Sequence, residues 1–122
     1  MASKRSPLAI ATASLRRLVE EEKSYREELE QEQKALEAFE KSQEDDEEGN
    51  REYMIRQRRQ AIEQTKAMIP VLRKKIQDAI KNVESKLPKS EDEAKEKNID
   101  VSEINAAKEI VSKASTAVRE IS

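Results

Sequence analysis

The sequence predicts an all-α protein, an antiparallel three-helix bundle of long amphipathic helices with the second helix kinked at Pro70. Three observations carry this prediction. Apolar residues recur at alternating steps of three and four over most of the 122 residues. Only one glycine and three prolines interrupt the chain, and 41 % of its residues are charged against 2 % aromatic. Such a composition belongs either to disordered chains or to long helices, and sustained periodicity selects the helices.

The first seam runs through Leu8, Ala11, Leu15, Leu18, Glu22, Tyr25, Leu29, Glu32, Leu36 and Phe39. Its 3/4 alternation holds without a slip for more than four heptads, which marks a helix over roughly 7–42. Pro7 suits its first turn and Ser6 its N-cap. At ~1.5 Å per residue this helix is on the order of 50 Å long. The stretch "SQEDDEEGNRE" then breaks the pattern with consecutive like charges, Gly49 and Asn50, so an acidic turn is expected over 43–50. Ile55, Ile62, Ile69, Ile76 and Val83 follow at intervals of seven. Met54, Ala61, Thr65, Met68, Leu72, Ala79, Ile80 and Leu87 flank that line, giving a second helix over roughly 51–87, stopped by Pro88.

Residues 88–99 are polar and carry no stripe, so they read as a connector with room for one helical turn. Asp100 and Glu103 form a capping pattern ahead of a third stripe, Ile104, Ala107, Val111, Ala114, Val118 and Ile121, within a helix over roughly 100–121. Short connections favour folding back within one domain, 1–122, over an extended dimeric coiled coil. The core is thin, and a second copy packed alongside as a homodimer would supplement it.

Net charge is −2, but it is unevenly spread. Residues 43–50 carry five acids and no base, whereas residues 51–87 carry ten bases and four acids. With no cysteine and no histidine, a disulfide framework, a Cys/His zinc site and Cys–His or Ser–His catalysis are excluded. One glycine leaves no phosphate-cradling loop, and a slim bundle offers little concavity. No enzyme, cofactor or metal is expected. The basic opening "MASKRSP" precedes no apolar run of signal-peptide length, and nothing approaches the ~20 apolar residues of a membrane span. No membrane contact is expected, and the cytoplasm is the expected location.

Two stretches resemble a known family. "RRLVEEEKSYREELEQEQKALEAF" (16–39), with Arg-Leu-Val, a glutamate-rich turn and then a tyrosine, resembles the first helix of tubulin-binding cofactor A. "AMIPVLRKKIQDAIKNVESKL" (67–87) resembles that family's second helix, where Met-Ile-Pro precedes basic residues and an apolar run. With helix order the resemblance covers roughly 12–87; the third helix fits in place and pattern, and 88–99 departs. The resemblance implies a cytoplasmic, cytoskeleton-associated chaperone of the tubulin folding pathway. Such proteins capture β-tubulin released from the chaperonin and pass it on towards heterodimer assembly. A structural coiled-coil subunit of a larger scaffold is the alternative.

Several residues stand out as candidates. Pro70 falls outside the apolar line, between Ile69 and Leu72, and frees the carbonyl of Lys66. Its kink either curves helix 2 around its neighbours or shapes a ledge for the partner, and curvature is the preferred reading. Arg59, Lys66 and Arg73 repeat at seven beside the isoleucine line, with Arg56, Lys74 and Lys75 near. This basic stripe is either a solvated face or a complement to an acidic partner such as tubulin. Nucleic acid is not expected, given the negative net charge and few aromatics for stacking. Glu22 and Glu32 occupy seam positions, where unpaired carboxylates are costly. Pairing helices 1 and 2 with Phe39 near Met54 brings Glu32 within about a turn of Arg58, as a register-setting ion pair rather than a catalytic group.

Overall fold

The computed structural model describes residues 5–42 and 49–119. Four helices follow in order: α1 (Pro7–Lys41), α2 (Asn50–Lys86), α3 (Glu91–Glu96) and α4 (Val101–Arg119). Among the described residues there is no strand. The prediction of three helices is therefore corrected to four. Most of the expected acidic turn, residues 43–48, and Ile121 of the third stripe lie outside the described residues.

Helix ends follow local chemistry. Pro7 opens α1, and the Ser6 hydroxyl accepts a hydrogen bond from the Ala9 amide at 3.0 Å, so one orphan donor of the first turn is satisfied. Gly49 precedes α2 with φ at +73°, a left-handed conformation that a side chain would strain. Pro70 lies inside α2 on an exposed side, with buried Ile69 and Leu72 around it.

The short α3 buries nothing and stands on its caps. Ser90 accepts from the Glu93 amide at 3.1 Å, and Glu91, Asp92 and Glu93 place negative charge at the helix's positive end. At the other end Asn98 turns left-handed with φ at 59°. The Ile99 amide then reaches the Ala94 carbonyl at 2.9 Å, and the Asn98 amide the Lys95 carbonyl at 3.2 Å. This is a Schellman closure with asparagine in the place usually held by glycine. Ahead of α4, Glu103 accepts from the Asp100 amide at 3.3 Å, half of the predicted capping pattern. The Asp100 carboxylate is taken by the Ser102 hydroxyl instead, at 2.9 Å.

The chain forms two compact units. One draws on Met1–Glu21 and Leu72–Ser122. Its core joins Leu8, Leu15 and Val19 of α1, Ile76 and Val83 of α2, and Ala107, Ile110 and Ala114 of α4. Ile99, just past the α3 closure, packs against that core. The other unit, Glu22–Val71, holds only stretches of α1 and α2, with Ile62, Thr65 and Ile69 buried on α2 and Glu22 buried on α1. Three-helix packing is thus confined to the first unit. The reason is length: α4 has 19 residues, about 28 Å at ~1.5 Å per residue, against 35 in α1 and 37 in α2. Among the described residues, no helix is long and apolar enough to cross a membrane.

Candidate functional site

The candidate residues are charged side chains on the helix surfaces. In the second unit the charges are sorted by helix. The α1 stretch 22–41 carries seven acids and four bases, and the α2 stretch 50–71 carries five bases and two acids. The predicted basic residues Arg56, Arg59 and Lys66 are all exposed on α2. Arg59 is not left to an outside partner alone, because its guanidinium meets Glu40 of α1 at 3.3 Å. In the first unit Lys74 and Lys75 are exposed and Arg73 is half-buried, and Lys74 pairs with Asp78 one turn on at 3.2 Å. Arg56, Arg59 and Lys66 thus follow one another along the second unit's part of α2, where Glu40 answers Arg59, and in the first unit's part Asp78 answers Lys74.

Phe39 is the chain's one phenylalanine and organises the end of α1. The guanidinium of Arg58 lies 5.0 Å from its ring centroid and that of Arg51 5.7 Å, both within cation–π range. Arg51 also donates to the carbonyls of Ser42 and Glu40, at the last turn of α1, where no intrahelical amide can reach. Sequence reasoning did not find this clamp. Its only signal is an aromatic as the last seam residue of one helix and an arginine in the first turn of the next.

The expected pair of Glu32 with Arg58 takes a different form. Both line one groove, together with Glu28, Gln31, Ala35 and Ala61. Arg58, however, is drawn to Phe39, and Oε1 of Glu32 is enclosed without a hydrogen-bond partner. An enclosed acceptor left unpaired costs about 1–3 kcal/mol. Glu32→Leu is therefore expected to raise stability by ~1 kcal/mol, since it removes that acceptor and adds apolar contact. Thermal unfolding checks this: a clear loss of stability would show that the carboxylate is paired in solution.

The other seam carboxylate, Glu22, is fully buried, and Arg26 one turn on donates to it through Nε at 2.7 Å. Exposed pairs support the outer side of α1. Hydrogen bonds from Lys34 and Lys41 hold the Glu30 and Glu37 carboxyls below their usual range, and the lysines are raised in return. These exposed contacts are worth little to the fold.

The first unit offers shallow grooves. One is lined by Arg5, Ile10, Ala13, Arg16, Arg17 and Glu20 on a single face at the start of α1, where Ile10 is exposed. Another lies between α1 and α4, lined by Thr12, Arg16, Ser102 and Glu103. Among the described residues, no group of three or more acidic side chains is placed to hold a metal ion.

No curated protein and no solved structure matches the chain. A protein-family model described as tubulin binding cofactor A matches residues 3–111. That match runs past the connector, where the sequence resemblance departed, and takes in most of α4. With nearly the whole chain covered, this all-helical protein belongs to the tubulin binding cofactor A family.

Proposed function

We propose that this protein captures β-tubulin folding intermediates after their release from the chaperonin and passes them on towards assembly of the α/β-tubulin heterodimer. Family membership, which implies a tubulin-binding cofactor role, is the observation that carries this reading. The surface agrees with it. Arg56, Arg59, Lys66, Arg73 and Lys74 all belong to α2, and a helix so rich in bases suits the steering of an acidic partner. The scaffold alternative needs apolar seams free to pair with other chains. Here Leu8, Leu15, Ile76 and Val83 are closed off within the chain.

Capture from cytosol tests the proposal. The tagged protein should retain β-tubulin and leave α-tubulin behind; recovery of both in equal amounts, or of neither, would refute it. A bend of α2 at Pro70 belongs to the same reading. In the same assay Pro70→Ala should lose capture in step with thermal stability if curvature serves packing. A variant that is more stable yet no longer captures β-tubulin would assign the bend to the contact surface.

A further inference from the structure

The side of α2 turned away from its buried isoleucines has an unusual composition. Tyr53, Gln57, Gln60, Gln64, Ala67 and Val71 follow at steps of four and three, so they form one ridge along the helix. All six are exposed, and none is charged. In a chain with 41 % charged residues, an outward ridge of five turns without a charge is a departure from the rule that governs the rest of the surface. The outward ridge of α1 shows the contrast, with Arg17, Glu20, Glu27 and Lys34 interspersed among Ser24, Gln31 and Ala38. Large exposed apolar side chains mark both ends of the α2 ridge: Tyr53 is 55 % exposed, Val71 45 %, and Met54 beside Tyr53 41 %. Solubility and helix propensity would both be served by Lys or Glu at the three glutamines, so neither accounts for their absence.

We propose that this uncharged ridge is the surface on which the protein holds its client, an uncharged, partly apolar face of β-tubulin. The inference rests on the tubulin reading above and adds where the contact is made and by what chemistry. Glutamine side chains offer both donors and acceptors, so they pair with polar groups of either kind without the desolvation cost of an ion. Tyr53, Met54 and Val71 supply apolar anchors of the type that contact surfaces favour. Size selects the occupant. A ridge of 19 residues is ~28 Å long and ~10 Å wide, so it covers roughly 300 Å², the scale of a short-lived contact and well under the ~800 Å² per partner of a standard stable interface, a permanent homodimer included. A second copy of this chain would not be held by it, whereas a client that is released again needs only a limited anchor. The basic edge and the ridge then divide the work, with charge governing arrival and the uncharged ridge governing departure.

The test places charge on the ridge without changing the net charge or weakening the helix. Gln60→Glu with Gln64→Lys is an i, i+4 pair in the stabilising order, so helical signal and melting temperature should hold or rise slightly. Dissociation of β-tubulin from this variant should be at least tenfold faster than from wild type, at low and high salt alike, with association unchanged. Tyr53→Ser, at the exposed end of the ridge, should also speed dissociation. Unchanged dissociation in both variants would overturn the ridge as the contact. Sedimentation that showed a wild-type dimer broken by the paired substitution would overturn it too, giving the ridge to a second copy. A wild-type protein that fails to bind β-tubulin would instead overturn the functional reading on which the inference rests.

Discussion

Truncating Ile76 to alanine should cost ~2–5 kcal/mol, the range for emptying a fully packed aliphatic site, and should unfold much of the protein at physiological temperature. Ile76 is 0 % exposed and belongs to the core that α1, α2 and α4 close together. Walls from three helices cannot all collapse onto the missing methylenes, so the cavity persists. Ile62 provides the comparison. It occupies the same register two heptads earlier, is 7 % exposed, and lies in the unit built from α1 and α2 alone. With fewer walls, a truncated Ile62 leaves a site that water or neighbouring side chains can fill. Ile62→Ala should accordingly cost less, ~1–2 kcal/mol, towards the lower end of such substitutions. Urea titration of both variants decides this. Equal losses would show that two helices enclose their isoleucines as well as three do. Amide exchange should agree, with slower exchange around Ile76 than around Ile62.

Which parts of this structure were legible in the sequence follows from what each part buries. The α1, α2 and α4 seams leave a period in the chain because one face of each helix must be apolar, and Leu8, Leu15, Ile69, Ile76, Ala107 and Ala114 are buried as their spacing predicts. Val19 and Ile110 are buried as well, although strict 3/4 stepping passes over both. A helix packed against more than one neighbour buries a stripe wider than a coiled-coil seam. The α3 helix leaves no period because it buries nothing, and its signal lies in Ser90, the acidic first turn and Asn98. The surface was less legible. Spacing put Arg58 and Glu32 on facing sides, but it could not weigh a ring against a carboxylate, and the guanidinium went to Phe39. Spacing likewise found the bases of α2 but not the carboxylates of α1 that answer them, because the Glu40–Arg59 pair depends on the register between two helices. The uncharged ridge was in plain view. Its glutamines carry neither charge nor apolar bulk, and Tyr53, Ala67 and Val71 lie opposite the buried isoleucines, so the row leaves no seam.

Reversing the basic edge should change the kinetics of capture more than any other surface substitution. Arg59, Lys66 and Arg73 lie at seven-residue spacing beside the isoleucine line, and α2 packs through the isoleucines rather than through these bases. Replacing all three by glutamate moves the local charge by six units. Arg59→Glu also sets a carboxylate beside Glu40, which carries a local repulsion. Exposed charges such as Arg59 and Lys66 usually contribute within about ±0.5 kcal/mol each, and Arg73 is only half-buried, so the helical signal should survive. An acidic client feels such an edge over roughly one Debye length, ~8 Å at physiological ionic strength. Loss of steering by a like-charged surface should slow association with β-tubulin at least tenfold at low salt, the lower end of typical steering effects. Added salt should bring the wild-type rate down towards that of the variant, because screening removes the same attraction. Dissociation should change little, since the uncharged ridge is left intact. Stopped-flow association measured across a salt series separates the possibilities. A variant that associates as fast as wild type at low salt would make the basic edge a solvated face whose charges are answered within the chain, as Arg59 already is by Glu40. Arrival of the client would then owe nothing to the charge of α2.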